Sequence, residues 1–284
     1  MSGGLEAGAI RLRDATRAFD VRIDSGRTLK EVLVGGLRRR SAPGGRDPRH
    51  PPPVQALRGV SLDIAPRETV AIVGRNGAGK SSTLRVLAGI VPLDSGSVEI
   101  GGRVAALLDL AAGFSRDFSG RENIVMGGAL YGLSRREVEE RMEAMVAFSE
   151  LGDFVDLPLK TYSTGMLVRL AFAIVAELDA DVLLIDEVLA VGDGAFQRKC
   201  EERIAQQVAG GSTLVLVSHD LALIERTCER TVLLDNGRVA ADGPTADVLA
   251  EYRHVLEDAS APVRGSGAPA VPAGADADRQ DSAS

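Results

Sequence analysis

Short apolar runs alternate with segments of helical periodicity along most of this chain. Four runs of four or five residues have the β-branched content of buried parallel strands, at 69–73, 182–185, 213–217 and 231–234. Helical patterns follow two of them, over 80–88 and 196–208. This alternation predicts an α/β domain with a mostly parallel sheet.

One stretch interrupts the alternation. From about residue 121 to 178 the pattern is helical, with acidic and basic faces and no strand. A block of helix inside an α/β chain predicts an inserted helical subdomain, which we place at about 109–178.

Two stretches lack the pattern of a packed core. Residues 41–53 hold five of the twelve prolines and two glycines, which predicts a loop or linker. Residues 257–284 contain 18 Ala, Gly, Pro or Ser out of 28. Such a segment buries too little apolar surface to offset its ordering entropy, so we predict a disordered tail after a domain over 1–256.

Composition narrows the classes of function. With 45% hydrophobic and 26% charged residues, the chain is an ordinary globular protein, and no apolar window is long enough to span a bilayer. Its N-terminus has no signal-peptide pattern, and Cys200 and Cys228 are too few for a disulfide scaffold, so we expect buried, inert thiols in a cytoplasmic protein.

The net charge of −7 is unevenly distributed. Residues 1–60 carry 12 basic against 6 acidic residues, a net of +6, which leaves −13 for the remainder. The acidic body argues against nucleic-acid binding. The basic N-terminal part would suit an anionic membrane surface. Alternatively, it reflects only the use of arginine as the surface cation, since 29 of the 33 basic residues are Arg.

The most specific chemical signal follows the first of these strands. The run Gly74-Arg75-Asn76-Gly77-Ala78-Gly79-Lys80-Ser81 opens a helix and fits the phosphate-loop pattern G-x-x-x-x-G-K-[ST]. Glycines let backbone N–H groups surround phosphate oxygens, and the helix N-terminus adds partial positive charge. Lys80 supplies charge for the β- and γ-phosphates, and Ser81 offers a hydroxyl to Mg²⁺. The sequence therefore predicts a nucleoside triphosphate site.

Two carboxylates, Asp186 and Glu187, follow the apolar run 182–185. The carboxyl end of a strand is where ligands bind in open α/β sheets. An isolated pair of this kind is more often a solvated strand end, but a phosphate loop in the same chain favours a catalytic role. We expect Asp186 to hold Mg²⁺ and Glu187 to activate the water that attacks the γ-phosphate.

At these residues the chain resembles the ATP-binding cassette (ABC) family, the nucleotide-hydrolysing subunits of ABC transporters. Further motifs follow in the family's order over about residues 8–255. The run YSTGM at 162–166 resembles the signature motif, AVGD at 190–193 the D-loop, and His219 the switch histidine. Phe19, in a first strand, is placed where the family stacks an aromatic ring on adenine.

The resemblance implies an ABC nucleotide-binding domain of the P-loop NTPase fold, with a mostly parallel core sheet, an antiparallel β edge and an inserted helical subdomain. It implies Glu187 and His219 as catalytic residues. The implied nucleotide contacts are Phe19, Gly74, Asn76, Gly77, Gly79, Lys80, Ser81, Ser82, Ser163, Gly165 and Asp193. For Phe19, a core position at the strand end stays an alternative.

Three features depart from the usual family pattern. The signature reads YSTGM instead of LSGGQ, although Ser163 and Gly165 remain. No glutamine lies between Ser81 and Gly165, so the Q-loop glutamine is missing; Asp109 occupies that neighbourhood and joins Ser81 and Asp186 as a candidate Mg²⁺ ligand. An insertion at about 20–55 follows Phe19.

These departures resemble the branch whose members export polysaccharides such as O-antigen, capsule, teichoic acid or galactan. LLDLAAGF at 107–114, GREN at 120–123 and the N-terminal insertion carry this similarity. It implies ATP and Mg²⁺ as cofactors and a head-to-tail homodimer of cassettes. The implied partners are an integral membrane permease subunit and, through it, a lipid-linked polysaccharide, at the cytoplasmic face of the plasma membrane.

Three other classes of nucleotide hydrolase share part of this motif pattern. An importer ATPase subunit shares every catalytic motif and stays an alternative. A soluble ABC ATPase of DNA repair or the ribosome fits less well, because the chain has neither a long coiled-coil insertion nor a second cassette. A GTPase is disfavoured because no N-K-x-D motif occurs.

The insertion carries a candidate membrane contact. Leu29, Val32, Leu33 and Leu37 form an apolar helical stripe, and three arginines follow at 38–40. This pattern suits an anionic leaflet or the pyrophosphate of a lipid-linked substrate. A solvated loop packed on the cassette by its four aliphatic residues is the alternative.

Overall fold

The fold is known from a computed structural model, which describes residues 4–20, 52–108, 113–186 and 193–260. The strands are β1 Ile10–Phe19, β2 Val54–Ile64, β3 Thr69–Val73, β4 Ser95–Ile100, β5 Val104–Leu107, β6 Val182–Asp186, β7 Thr213–Val217, β8 Arg230–Asp235 and β9 Arg238–Pro244. The α-helices are α1 Lys80–Leu87, α2 Gly120–Leu130, α3 Arg135–Ser149, α4 Thr164–Ala176, α5 Gly194–Ala209, α6 Leu221–Thr227 and α7 Thr245–Ser260.

Six strands form the main sheet, in the order β5-β6-β7-β3-β8-β9. The first five are parallel, and β9 is antiparallel to β8. Every residue of β3 and β7 is buried, which is why these strands read as short apolar runs without alternation. The predicted α/β class and mostly parallel sheet are confirmed.

A second sheet, antiparallel and in the order β2-β1-β4, covers one face of the main sheet. Alternate residues of β1 and β2, including Ile10, Leu12 and Leu57, pack with α1 against Val70 and Ile72 of β3. The helices α2 to α7 pack on a separate apolar cluster at the opposite face. In β6, Leu183 and Ile185 belong to this second cluster, whereas Val182 and Leu184 belong to the first.

Between β5 and β6 the described residues form three α-helices joined by turns, with no strand beyond the isolated bridge between Ser119 and Pro158. Serine caps begin α2 and α3, because Ser119 and Ser134 each form a capping box with the glutamate three residues later. Two short 3₁₀ turns, Gly152–Asp156 and Leu159–Thr161, lead to α4. The predicted run of helix without a strand is present, while the limits 109–178 of a subdomain stay a prediction.

The C-terminal helix corrects one expectation. The backbone of α7 continues to Ser260, so residues 257–260 are helical and not part of a disordered tail. Val248, Leu249 and Tyr252 lie on the face of this helix that packs on the domain, whereas Leu256 near its end is exposed. Residues 261–284, the rest of the predicted tail 257–284, and residues 21–51, most of the predicted insertion, lie outside the described residues.

Two further expectations from composition can be compared with the structure. Cys200 and Cys228 are buried and not disulfide-bonded, and burial raises the pKa of each thiol to about 12, so they are inert at neutral pH as predicted. Within the described ranges, no helix combines the length and hydrophobicity needed to cross a membrane.

Candidate functional site

The phosphate loop joins β3 to α1 as the sequence predicts. Gly74, Gly77 and Gly79 all adopt positive φ, at 149°, 82° and 108°. A β-carbon at Gly74 would collide with the carbonyl oxygen of Leu234, and one at Gly79 would lie 2.6 Å from the carbonyl oxygen of Ala56. At Gly77 a β-carbon would meet nothing within 4 Å. The loop is thus held between β8 and β2, with its middle open to a ligand.

Lys80 is buried at the start of α1 and turns back over the loop. Its ammonium donates to the carbonyl oxygens of Gly74 at 2.8 Å and of Arg75 at 3.2 Å. Ser81 and Ser82 follow in the first turn of α1 and are partly exposed. No acidic side chain lies in this first turn, so the helix N-terminus keeps its positive potential for an anion.

Asp186 and His219 emerge at the same edge of the sheet as the loop. Asp186 is the last residue of β6 and lies opposite Val217 at the end of β7, and Val217 in turn lies opposite Ile72 near the end of β3. His219 follows β7 and is exposed. It lines a cavity of about 570 Å³ with Gly74 to Ala78, Asp235, Asn236, Tyr252 and Leu256.

Ser163 and Gly165 lie at the beginning of α4, on the surface. Ser163 is the N-cap, and its hydroxyl accepts a hydrogen bond from the backbone N–H of Met166 at 3.3 Å. Gly165 lies in the first turn, where a β-carbon would contact only the Ser163 hydroxyl, at 3.9 Å. Nothing within the described chain therefore requires glycine there.

Asp193 caps a helix and forms an ion pair in this structure. Its carboxylate caps α5 by accepting from the backbone N–H groups of Ala195 and Phe196, both at 3.0 Å, and it forms an ion pair with Arg169 of α4. The N–H of Phe196, followed by Arg169, lowers the pKa of this carboxyl. An aspartate directly before a helical pattern is a capping signal that the sequence reasoning did not use.

Phe19 ends β1 and is partly exposed. Its backbone pairs with Val54 of β2, two residues before Ala56, whose carbonyl oxygen lies against Gly79. The β1–β2 pair thus places Phe19 on the side of the phosphate loop next to β2. It does not line the cavity that contains His219.

Some of the predicted residues lie outside the described chain. These are Glu187, the predicted base; Asp109, the predicted third Mg²⁺ ligand; and residues 190–192 of the predicted D-loop. Their assignments stay predictions from the sequence.

The sequence reasoning missed Tyr252 of α7. Its hydroxyl donates to the carbonyl oxygen of Gly74 at 3.1 Å, across 178 positions of the chain. No motif marks this residue, and no local pattern connects it with the phosphate loop.

Comparison with known proteins shows the family and relatives of this chain. The family model described as ABC transporter matches residues 57–190. The O-antigen export system ATP-binding protein RfbB of Klebsiella pneumoniae is 43% identical over 201 residues, which are 71% of this chain and 82% of that protein. The protein of the same name from Myxococcus xanthus is 45% identical over 255 residues, 89% of this chain. This chain spans only 57% of the Myxococcus protein's length.

A solved structure shares the fold. It is a dimeric, post-hydrolysis ATP-binding cassette bound to ADP and Pi, 18% identical with a TM-score of 0.63, and the match covers 83% of this chain and 98% of that one.

Proposed function

This chain belongs to the family of ABC transporter ATP-binding proteins, and from that premise we propose that it binds ATP at the phosphate loop and hydrolyses it to drive transport. The observation that carries the proposal is the loop itself. Its outer glycines are fixed against β2 and β8, whereas its middle glycine faces open space beside His219.

In the proposed mechanism the backbone N–H groups of 75–79 and the N-terminus of α1 bind the phosphates. Lys80 leaves the carbonyl oxygens that it now contacts and neutralises the β- and γ-phosphates. Glu187 takes a proton from the attacking water, whose oxygen forms a bond to the γ-phosphorus as the bond to the ADP oxygen breaks. His219 contacts the γ-phosphate side of the site.

The side chains at this edge fit Mg²⁺ in donor chemistry. The Ser81 hydroxyl and the Asp186 carboxylate are hard oxygen ligands of the kind that Mg²⁺ prefers. When bound, the ion would neutralise charge that develops on the phosphate oxygens.

We propose that a second copy of the chain completes the site. Ser163 is exposed and Gly165 is partly exposed at a helix N-terminus, which is a ready anion-binding position. Alanine is a better helix former than glycine by up to about 1 kcal/mol, so a glycine with free space around it is explained by a ligand approaching from outside the chain. The phosphate held by the partner cassette is that ligand.

This chain has a surface that would suit the proposed membrane partner. An apolar groove of about 320 Å³ separates the end of α1 and β5 from α2 and α4, and Phe114 and Ile174 line it. Ile90 and Leu130 at its border are 57% and 68% exposed. We propose that a helix of an integral membrane subunit lies in this groove and receives the movement of the helical segment.

The transported substrate that we propose is a lipid-linked polysaccharide, exported from the cytoplasmic face of the membrane. The names of the similar relatives, both ATP-binding proteins of O-antigen export systems, support it. An importer remains the second candidate. Copurification with a membrane subunit whose lipid-linked sugar stimulates ATPase activity would support export; stimulation by a soluble substrate-binding protein would support import.

Two substitutions test the ATPase proposal. Lys80→Ala should weaken ATP binding, while Lys160→Ala, at an exposed lysine of the helical segment, should not. Glu187→Gln should bind ATP normally, lower turnover by about 10²-fold or more, and accumulate an ATP-bound dimer. Hydrolysis at the wild-type rate in Glu187→Gln would show that the base is a different residue.

The basic run at 38–40 belongs to a separate proposal, contact with an anionic membrane surface. Changing the three arginines to glutamine should leave the basal ATPase activity intact and reduce binding to acidic vesicles in a salt-dependent way. Unchanged vesicle binding or unchanged export would show that this segment has no role in transport.

A further inference from the structure

The carbonyl oxygen of Gly74 is a buried acceptor that receives two side-chain donors from the described residues. Lys80 Nζ reaches it at 2.8 Å, and the Tyr252 hydroxyl reaches it at 3.1 Å from the C-terminal helix α7. Gly74 itself is buried, and its backbone is confined because Leu234 of β8 leaves no room for a β-carbon. A carbonyl group in such a place is costly to leave without a hydrogen bond.

Helix α7 is fixed well enough to hold Tyr252 there. At its start, the Thr245 hydroxyl contacts that of Thr231 at 2.9 Å and donates to the carbonyl oxygen of Cys228 at 2.8 Å. Val248, Leu249 and Tyr252 are all buried in the large apolar cluster. The ion pair of Arg253 with Glu225 links the outer face of α7 to α6.

ATP binding would affect the two donors to the Gly74 carbonyl differently. In the proposed function, Lys80 moves from Gly74 to the phosphates when ATP binds. Among the donors that the described residues supply to the Gly74 carbonyl, Tyr252 then remains alone. Without the Tyr252 hydroxyl, ATP binding would leave a buried acceptor unsatisfied, whereas the nucleotide-free loop would still have Lys80 as donor.

We propose that Tyr252 is a positioning residue for ATP binding: its hydroxyl satisfies the first carbonyl of the phosphate loop when Lys80 turns to the nucleotide. Through this bond, nucleotide occupancy and the docking of α7 stabilise each other, because coupling between two sites is reciprocal. The inference rests on the proposed ATP binding and adds to it a residue that lies 62 positions beyond the matched family segment.

The test is Tyr252→Phe in the full chain, which removes only the hydroxyl. The dissociation constant of a non-hydrolysable ATP analogue and the KM for ATP should rise roughly 2- to 10-fold, as expected for one lost hydrogen bond, with kcat retained. The melting temperature without nucleotide should change little, and its increase on adding the analogue should be smaller than in the wild type.

Tyr131 provides a matched control. Its hydroxyl also donates to a backbone carbonyl, that of Ala106, at 2.8 Å, but this pair lies away from the phosphate loop. Tyr131→Phe should lower stability without changing analogue affinity. If Tyr252→Phe behaves like Tyr131→Phe, Tyr252 is only a packing residue and the inference is wrong.

The wild-type chain gives a second measurement that needs no folded variant. Backbone amides of α7 should exchange hydrogen more slowly when the analogue is bound, and unchanged exchange would overturn the inference. A wild-type chain that binds no ATP would instead overturn the proposed function, so the two failures are distinguishable.

Discussion

The guanidinium of Arg17 lies over the ring of Phe19, with its Cζ atom 5.0 Å from the ring centroid. Asp94 holds this arrangement, because its two carboxylate oxygens accept from Arg17 Nη1 at 2.8 Å and from the backbone N–H of Ala18 at 2.7 Å. The chain itself thus occupies one face of the ring. The opposite face of the ring would then be the one on which an adenine base could stack. Phe19 belongs to neither cluster of buried core residues.

We predict that Phe19→Ala raises the ATP dissociation constant roughly 5- to 150-fold, because stacking of a base on an aromatic ring contributes about 1–3 kcal/mol. Isothermal titration with a non-hydrolysable analogue measures the change. Phe154→Ala, at an exposed phenylalanine of the helical segment, is the control and should bind normally. A lower melting temperature with unchanged ATP affinity would show that Phe19 is a packing residue and does not bind adenine.

The glycines of the phosphate loop should differ in their cost to folding. Gly77→Ala meets no neighbour, so only the positive φ opposes it, at about 1–2 kcal/mol. Gly79→Ala adds a contact with the Ala56 carbonyl at 2.6 Å and should destabilise the chain more. Both should lose ATP affinity, because each β-carbon obstructs backbone contact with phosphate. Urea unfolding separates the two, and equal destabilisation would contradict the contacts described.

Ser163 permits a separation of capping from phosphate contact. Ser163→Asp keeps a good N-cap at a helix N-terminus, so the monomer should be about as stable as the wild type. Its negative charge should prevent the ATP-dependent dimer. Gel filtration tests this when Ser163→Asp is introduced into the Glu187→Gln chain, in which that dimer should accumulate. Ser163→Ala should instead cost about 1 kcal/mol of stability. If Ser163→Asp still forms the normal dimer, the phosphate held by the partner cassette does not contact Ser163.

Acid should weaken the connection between α3, α4 and α5. Hydrogen bonds from Lys199 at 2.7 Å and Arg169 at 2.9 Å lower the pKa of Glu150. A carboxyl whose pKa is lower in the folded state stabilises the fold above its unfolded pKa, near 4.3, and this contribution is lost as the pH falls through the folded value. The free energy of unfolding should therefore decrease from about pH 5 downward.

Glu150→Gln should show a smaller part of this loss. Its unfolding free energy should change less than that of the wild type between about pH 6 and about pH 3, as measured with urea. Glu139→Gln, which removes an exposed pair with Arg135, is the control. Identical pH profiles for wild type and Glu150→Gln would show that the cluster contributes nothing measurable.

Contiguous features of the molecule were predictable from the sequence. The phosphate loop, the strand before it and the helix after it lie within 19 residues, so one motif contains all their parts. The four apolar runs correspond to β3, β6, β7 and β8, because strands buried on both faces have few polar positions. Resemblance to a family, and not periodicity, supplied the order of the further motifs.

Contacts between distant segments were not predictable. Periodicity shows which face of α7 is apolar, but not that Tyr252 on that face reaches Gly74. The contact of Arg17 with Asp94 likewise joins residues 77 positions apart, and no local pattern connects them. Asp193 is the intermediate case, since its capping role is local and could have been inferred from the helix that follows it.

The pairing of Phe19 with Val54 has a consequence for how this protein can vary. The chain leaves the small sheet and returns to it at neighbouring points, although 34 residues lie between them in sequence. Closing a loop costs only about 0.6 kcal/mol more for each doubling of its length. Evolution, or an engineer, can therefore lengthen, shorten or exchange the sequence at this point without shifting the strand register. Any molecule that binds the exchanged sequence would pull directly on the ends of β1 and β2, close to Gly79 of the phosphate loop.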